Sequence, residues 1–376
     1  MTSLYLHIPF CLRKCLYCAF SSRVAPSALH GRYVDALMCE IDFLQHHPSV
    51  QDPLKTLFIG GGTPTCIPSD QLTSIIDHCR NTFGFSAGAE ISVEANPGTV
   101  DEGYCESLLM AGVNRLSMGV QSFFDEELKI LGRLHTSSEA EGAILAAKRA
   151  GIANINIDLM YGLPGQTPKS WVLSLEKALS LTPQHLSLYQ LMVEEGTPFQ
   201  VMDGKSELLL PVEDEILEMD EITRELTENS GIIQYETSNY AIEGKQCLHN
   251  INYWENLDYL AAGAAAVSFI KGVREKRTTD PNHYIKQIST GKSVIVEEEQ
   301  LTMEESFRET VIMGLRLKRG VSTKNLLTRY GLTPEKHYGS ILTRLQHLGM
   351  VEQTPSHLKI TDKGWPLSNQ IMAELV

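Results

Sequence analysis

The sequence predicts an α/β fold: a partial (β/α)6 TIM-like barrel followed by a small C-terminal α+β domain with a winged-helix-like pattern. Six short apolar runs alternate with longer helical patterns, an order that produces a parallel sheet with right-handed crossovers. A doubly wound sheet would share this order. A barrel is favoured because β/α barrels carry functional groups at the carboxyl ends of their strands, and polar or glycine residues stand there: Cys11, Gly60–Gly62, Glu94, Gln121, Asp158 and Tyr189.

Each element of the predicted barrel has its own sequence signal. Short apolar runs predict strands at Leu4–Pro9, Leu54–Ile59, Glu90–Asn96, Arg115–Ser122, Asn154–Tyr161 and His185–Val193. Apolar spacing and N-cap residues predict helices from about Leu29 to Gln45, from a Ser69-Asp70 cap to Phe83, from Asp101, in two pieces from Asp125 to Ala150, and over Pro168–Leu181. Six strands instead of eight predict an open barrel. We expect the barrel over residues 1–200.

The pattern changes after the sixth predicted strand. An acidic segment, Glu207–Ser230, has apolar residues at helical spacing, which predicts a helix packed on the barrel. We expect residues 201–300 to complete the barrel as helices and loops. Over 301–376, three helical patterns and a β-hairpin predict the winged-helix-like domain. Such modules often read DNA, but the acidic chain and the lack of a basic third helix favour a docking or packing role.

The composition excludes several classes of protein. The chain has 376 residues, and 32 Lys and Arg against 46 Asp and Glu give a formal net charge of −14. We therefore expect no nucleic-acid partner, because broad binding of nucleic acids needs a basic surface. No run of about 18 apolar residues predicts a transmembrane helix, and the N-terminus lacks a signal-peptide layout. We expect a cytoplasmic, reducing setting, where cysteines are thiols or metal ligands.

A cluster of cysteines is the strongest chemical signal. Cys11, Cys15 and Cys18 form CxxxCxxC directly after the first predicted strand, whereas the other five cysteines are scattered and read as buried small hydrophobes. Structural zinc usually takes four ligands, and here a second cysteine pair is missing and His7 lies inside a strand. Three cysteines suit a cubane iron–sulfur cluster that leaves one iron open for a ligand. Zinc stays the alternative.

The glycine run Gly60-Gly61-Gly62 follows the second predicted strand. It lacks the Gly-Lys-Ser/Thr ending of a P-loop, and Thr65 stands where the GxGxxG pattern requires glycine. A tight turn is one explanation. Close approach of the backbone to a ligand is the other.

These motifs resemble those of radical S-adenosylmethionine (SAM) enzymes, in which CxxxCxxC follows the first strand of the barrel. Further fragments narrow the resemblance to the oxygen-independent coproporphyrinogen III oxidase family, and they read YLHIPFC, GGGTPT, EANP, GVQS and DLMYGLPGQT. The resemblance extends over nearly the whole chain. It implies a 4Fe–4S cluster held by the three cysteines, with SAM chelating the open iron.

The resemblance also implies which side chains bind SAM. Glu94 and Asp158 would accept hydrogen bonds from ribose hydroxyls or an ammonium group, and Arg133 would pair with the methionine carboxylate. Tyr17 would lie near the adenine. The full set implied to bind the cofactor is Tyr5, Tyr17, Gly61, Gly62, Thr63, Glu94, Gln121, Arg133 and Asp158.

Two branches of this family differ in function. The oxidases carry CxxxCxxCxC and an N-terminal extension, whereas here Phe20 replaces the fourth cysteine and the cluster begins at residue 11. Both departures match the heme-chaperone branch, whose members bind heme, pass it to heme proteins and lack oxidase activity. The alternative is an oxidase that decarboxylates the propionates of coproporphyrinogen III. A third interpretation is a radical methyltransferase or another porphyrin-modifying enzyme.

The fragment HNINYW matches the HNxxYW motif of the heme-chaperone branch. It implies heme contact by His249, Asn250, Tyr253 and Trp254. Neutral imidazole is a good axial ligand of heme iron, and Cys247 is a lesser candidate. A structural histidine with two packed aromatic residues is the alternative. Val267 stands where relatives tend to have a histidine, which weakens any ligand assignment there.

The resemblance implies heme or porphyrin and heme-acceptor proteins, respiratory ones among them, as partners. Contact with a membrane surface stays open, although the sequence shows no basic amphipathic anchor. Dimerisation stays open as well.

Overall fold

Six parallel strands lie side by side in the structure, a computed structural model that describes residues 2–48 and 52–376. They are β1 (Thr2–Ile8), β2 (Leu54–Gly61), β3 (Phe85–Ala95), β4 (Arg115–Gln121), β5 (Ile155–Tyr161) and β6 (His185–Gln190). Each strand pairs in parallel with the next along the chain, which confirms the predicted order. The sixth strand ends at Gln190 instead of Val193, because its partner β5 ends at Tyr161, the residue that pairs with Gln190.

Helices cover the outer face of this sheet. They are α1 (Ser27–Leu44), α2 (Ser69–Phe83), α3 (Glu102–Met110), α4 (Asp125–Leu131), α5 (Ser137–Arg149) and α6 (Pro168–Ser180). Asp101 caps α3 through a hydrogen bond from the Tyr104 N–H, as predicted. The predicted Ser69-Asp70 cap is wrong: Pro68 occupies the N-cap position and Ser69 is already helical. Proline serves there because its fixed φ suits the entry into a helix.

The alternation of side chains along the strands explains the architecture. Apolar residues at every second position form the main core with the helices, for example Leu116 and Met118 on β4, both fully buried. The intervening positions carry polar residues, for example Arg115 and Ser117 on the same strand. Because successive side chains of a strand point to opposite faces, the interior of the barrel is polar.

The next segment extends the sheet on both sides. Its elements are α7 (Pro198–Asp203), α8 (Glu213–Asn229), β7 (Ile233–Gln234), β8 (Asn239–Ala241), α9 (Leu248–Trp254), β9 (Leu260–Ala262), β10 (Val267–Ile270), β11 (Val273–Arg277), α10 (Pro281–Ser289) and β12 (Ile295–Gln300). The strand order is β7-β8-β6-β5-β4-β3-β2-β1-β9, so β9 joins the free edge of β1. The strands β10, β11 and β12 form a separate antiparallel sheet.

The acidic helix α8 is shorter than predicted. It begins at Glu213, since Pro211 disfavours a helical conformation in the residue before it. Its apolar residues face the barrel, with Met219 fully buried, as predicted.

The helix α9, which carries HNINYW, lies at the amino end of the barrel. β8 is antiparallel to β6, and its last residue Ala241 pairs with His185, the first residue of β6. β9 is parallel to β1, and its first residue Leu260 pairs with Leu4. The connection between Ala241 and Leu260 therefore starts and ends at the amino end of the strands, opposite the cysteine loop.

The C-terminal elements build a second core. They are α11 (Met303–Leu315), β13 (Val321–Ser322), α12 (Thr323–Tyr330), α13 (Pro334–Tyr338), α14 (Ser340–His347), β14 (Val351–Gln353), β15 (His357–Ile360) and α15 (Ser368–Ala373). Phe307, Val311 and Leu315 are fully buried in this core. The predicted helix over Lys336–Leu348 is broken into α13 and α14 at Gly339, whose φ is +50°. Within the described part of the chain, no helix has the length and apolarity to span a membrane.

Candidate functional site

The loop after β1 brings the three clustered cysteines to the carboxyl end of the barrel. Its two ends are joined by a bond from the Cys11 N–H to the Arg23 carbonyl at 3.0 Å. Two side chains donate to the sulfurs: Thr63 Oγ1 lies 3.6 Å from Cys11 Sγ, and Arg133 Nη1 lies 3.6 Å from Cys15 Sγ. Such donors stabilise thiolates, which are the form that ligates metal.

The electrostatics of the loop suit a cationic cluster. Burial raises the pKa of Cys18, and the neighbouring Cys15 and Cys11 raise it further. Across residues 2–48 and 52–376, no three His, Cys, Asp or Glu side chains lie at the spacing that holds a single metal ion. In a cubane cluster each cysteine binds a different iron, so the three cysteine sulfurs do not converge on a single metal ion. Three thiols on one loop are a donor set that fits a 4Fe–4S cluster.

The glycines after β2 allow the chain to approach the cysteine loop. A Cβ on Gly61, whose φ is +115°, would lie 2.6 Å from the His7 ring. A Cβ on Gly62 would lie 2.5 Å from the Phe10 carbonyl oxygen and 3.0 Å from Cys11 Sγ. Both distances are too short for any side chain. Close approach to the protein's own residues therefore explains Gly61 and Gly62, and approach of this run to a ligand stays a prediction.

A polar network crosses from β2 to β4 beneath the cysteines. Asn96 Nδ2 donates to Thr63 Oγ1 at 2.7 Å, and Arg133 Nη2 donates to Asn96 Oδ1 at 2.5 Å and to the Gly119 carbonyl. Cys15, Asn96 and Arg133 also line a pocket that is open to solvent. Asn96 is absent from the predicted site. Its position directly after β3 was the signal that could have found it.

Two carboxylates lie deeper in the barrel. Burial, with the nearby charge of Asp158, raises the pKa of Glu94 to about 7, although Glu94 accepts the Gly61 N–H at 3.1 Å. Burial also raises the pKa of Asp158, which accepts from Asn156 Nδ2 at 2.6 Å. Each carboxylate would gain from a hydroxyl or ammonium donor on a ligand.

Tyr5 and His7 form one unit on β1. A carbonyl oxygen only accepts, so the contact of 2.9 Å between His7 Nε2 and the Ser21 carbonyl places the ring proton on Nε2. Burial lowers the pKa of His7, so Nδ1 is unprotonated and accepts from the Tyr5 hydroxyl at 2.9 Å. The Tyr5 hydroxyl thereby orients His7, and His7 in turn donates to the carbonyl of Ser21, three residues after Cys18.

The other two residues implied to bind SAM lie at the same end. Gln121 ends β4 with φ +74°, a left-handed conformation that is uncommon outside glycine and often marks functional sites. The ring of Tyr17 lies 6.4 Å from that of Phe199, and burial raises its pKa while the adjacent Arg133 lowers it. The implied cluster and cofactor residues thus lie at the carboxyl end of the barrel, except Tyr5 and Asp158, which lie at mid-strand in β1 and β5.

His249 lies inside the opposite end. It is fully buried, with Nδ1 at 2.8 Å from Thr56 Oγ1 and Nε2 at 2.9 Å from the Tyr253 hydroxyl. Its ring also stacks on Phe58 at 5.2 Å. Burial and the charge of Arg115 lower its pKa to about 3, so the ring is neutral. Both ring nitrogens have protein partners, and in this arrangement neither is free to bind iron.

The rest of the motif is more accessible. Asn250, Tyr253 and Trp254 are each partly exposed. The Trp254 indole lies 4.9 Å from the Arg316 guanidinium, and its Nε1 has no hydrogen-bond partner among the residues that the structure describes. Cys247 is fully buried and donates to Glu90 at 3.5 Å, and burial raises the pKa of its thiol to about 12. Cys247 is therefore a poor candidate ligand.

Glu90 is a residue of this end that sequence reasoning missed. Its carboxylate accepts the N–H groups of Leu248 at 2.9 Å and His249 at 3.1 Å, which anchors the start of α9. The polar residues of β3 at positions 90, 92 and 94 alternate with apolar ones. That period of two was the available signal for a polar barrel interior.

Comparison with known proteins agrees with the fold and the cluster loop. Residues 5–178 match the Radical SAM superfamily, and residues 301–367 match the HemN C-terminal domain. The heme chaperone HemW of Bacillus subtilis is 37% identical over 99% of this chain and 98% of the relative. HemW of Escherichia coli is 41% identical over 75% of this chain and 74% of the relative.

The solved structure of coproporphyrinogen III oxidase (HemN) from Escherichia coli is also similar. The similarity extends over 100% of this chain and 89% of the HemN chain, with a TM-score of 0.86 and 25% sequence identity. Fold and cysteine loop together place this chain in the radical SAM class. Within that class, the similarity to its relatives shows that the chain belongs to the HemW family.

Proposed function

We propose that the chain binds heme and passes it to acceptor proteins, on a scaffold that also holds a 4Fe–4S cluster and SAM. The observation that carries the proposal is the 37% identity with a heme chaperone over 99% of the chain. Phe20 supports it, because this side chain is 69% exposed on the cysteine loop where oxidases have a fourth cysteine. The setting we propose is the cytoplasm, with heme proteins as acceptors.

The cluster and SAM are assigned to the carboxyl end of the barrel. Cys11, Cys15 and Cys18 would hold the cluster, which supplies a low-potential electron next to the bound sulfonium. Glu94 and Asp158 would accept hydrogen bonds from SAM. The remaining contacts would come from Tyr5, Tyr17, Gly61, Gly62, Thr63, Gln121 and Arg133.

Heme contact is assigned to the accessible side of α9. Asn250, Tyr253 and Trp254 fall at helical spacings of three and four residues, which places them on one face. Aromatic rings there would pack against the porphyrin. We assign His249 a positioning role, because its imidazole Nε2 contacts the Tyr253 hydroxyl at 2.9 Å from inside the barrel and so orients the Tyr253 side chain.

An anaerobic heme titration of the cluster-loaded protein, followed by absorbance, tests this assignment. We expect saturable binding that weakens about tenfold in Asn250→Ala and Trp254→Phe, the effect of losing about 1.4 kcal/mol of contact free energy. Leu248→Ala is the matched control, since Leu248 is an exposed residue of the same helix outside the motif. Equal binding by all four proteins would move the heme site elsewhere, and no saturable binding by any would refute the chaperone function.

The second candidate is oxygen-independent coproporphyrinogen III oxidase. The TM-score of 0.86 with an enzyme of that activity favours it. The test is incubation with coproporphyrinogen III, SAM and a reductant, followed by mass spectrometry. A product lighter by two carboxylate groups would establish the oxidase, and unchanged substrate would exclude it under those conditions.

A further inference from the structure

A chain of hydrogen bonds crosses the barrel interior from Asp158 to the start of α9. Asn156 Nδ2 donates to Asp158 Oδ1 at 2.6 Å, and Asn156 Oδ1 lies 2.6 Å from His185 Nδ1. His185 Nε2 lies 2.8 Å from the Tyr235 hydroxyl. The Cys247 N–H donates to that hydroxyl at 3.2 Å. Cys247 directly precedes α9, so four contacts join the carboxylate implied to bind SAM to the HNINYW helix.

The donors in this chain all point the same way. An amide oxygen only accepts, so His185 carries its proton on Nδ1. Burial, with the charge of Arg115, lowers the pKa of His185, and Nε2 is therefore unprotonated. Nε2 accepts the Tyr235 O–H, whose oxygen accepts the Cys247 N–H.

Burial makes the chain sensitive to any change at its ends. Asn156 and His185 are fully buried. A buried polar group that loses its partner costs about 1–3 kcal/mol, and hydrogen bonds in a chain polarise one another. A ligand hydroxyl that donates to Asp158 would weaken the hold of this carboxylate on the Asn156 amide, whose Nδ2 also donates to Ser117 Oγ at 2.6 Å and to Ser187 Oγ at 2.9 Å and would shift toward them. The neighbouring bonds would then adjust in sequence up to the Cys247 N–H.

We propose that this chain transmits occupancy of the SAM site to the HNINYW helix, with Tyr235 as the positioning residue that joins barrel and helix. The inference rests on the proposed binding of SAM at Asp158. It does not require heme to bind at α9. Glu90 anchors the same helix independently, so loss of the Tyr235 contacts would uncouple α9 without releasing it.

Hydrogen exchange of the amides of residues 247–254 in the cluster-loaded protein, with and without SAM, tests the proposal. In the wild type we expect SAM to change their exchange rate about fivefold or more, the lower end of typical coupling. Tyr235→Phe keeps the ring but removes both hydroxyl contacts, and we expect its response to SAM to fall below about twofold. Tyr240→Phe is the matched control, because Tyr240 is a buried tyrosine of β8 outside the chain.

The outcomes are separable from those of the proposed function. A SAM-dependent change in the wild type and Tyr240→Phe that is lost in Tyr235→Phe supports the transmission. An equal change in all three proteins, or none in the wild type despite saturating SAM in a binding assay, overturns it. Heme titration of the same proteins reports on the chaperone function alone.

Discussion

The two ends of the barrel differ in what their polar groups contact. At the amino end, His249 has a partner on each ring nitrogen, and Glu90 receives backbone donors from the first turn of α9. At the carboxyl end, the sulfurs of Cys11 and Cys15 receive only long contacts, and Glu94 is held with a pKa near 7. The amino end is thus built to fix a helix, and the carboxyl end is built to receive ligands.

The largest expected effect follows from removing the sulfurs at the carboxyl end. Cys11→Ala, Cys15→Ala and Cys18→Ala should each lose most of the iron after anaerobic reconstitution, because a 4Fe–4S cluster with three protein thiolates has none to spare. Iron and sulfide content and the absorbance of the reconstituted proteins measure this. Cys39→Ala is the control, since Cys39 is an exposed cysteine of α1 and not of the loop. Equal iron in all variants would refute the cluster assignment.

The next largest effect is expected where Gly61, the last residue of β2, lies against His7 of β1. Gly61→Ala combines a backbone strained at φ +115° with a Cβ only 2.6 Å from the His7 ring. We expect a loss of about 2–5 kcal/mol in the free energy of unfolding, the sum of backbone and overpacking costs. Denaturant titration measures it.

Gly165→Ala separates the two contributions. Gly165 also has a positive φ, +74°, but a Cβ there would meet nothing within 4 Å. Its substitution should cost only the backbone part, about 1–2 kcal/mol. Equal losses in both variants would show that the approach to His7 adds nothing.

Sequence reasoning recovered the fold because its signals are local. The apolar runs of β1 to β6, the cap at Asp101 and the start of α6 at Pro168 depend on neighbours within a few residues. The pairing of β9 with β1 was missed, because Leu260 and Leu4 are paired in the sheet but are separated by most of the sequence. The cysteine loop was found for the opposite reason, since its three cysteines lie within eight residues of sequence.

The third prediction concerns Glu94 in the protein without ligand. Its pKa is about 7 in the folded protein against an ordinary value of 4.5, so the folded state holds a proton that the unfolded state has released. Stability is therefore fully present below about pH 4.5 and falls as pH rises to about 7. Glu94→Gln should remove up to about 3 kcal/mol of this decline.

Unfolding free energies between pH 5 and pH 8 measure the effect. Glu298→Gln, at an exposed carboxylate of β12, should leave the decline unchanged. A decline that is identical in wild type and Glu94→Gln would show that Glu94 is ionised throughout this range.

The amino end shows where sequence reasoning stops. The motif HNINYW predicts heme contact by His249, Asn250, Tyr253 and Trp254, but it does not show that the His249 imidazole is buried in the barrel. Its burial depends on Thr56 and Phe58, which lie nearly 200 residues earlier. A motif gives the residues of a site, whereas their orientation comes from contacts that no local pattern contains.

The smallest expected effect comes from backbone strain. Two residues with positive φ, one at each end of the barrel, differ in how well they tolerate this conformation. Asn256 follows α9 with φ +49°, and asparagine tolerates this conformation. Ala265 lies in the loop after β9 at the carboxyl end with φ +69°, where alanine is strained. Ala265→Gly should therefore raise the free energy of unfolding by about 1 kcal/mol, as measured by denaturant titration. Ala264→Gly, at a fully buried neighbour without positive φ, should lower it by a similar amount. The same sign for both substitutions would mean that the loop gains nothing from relief at Ala265, and that the backbone at this residue is not strained.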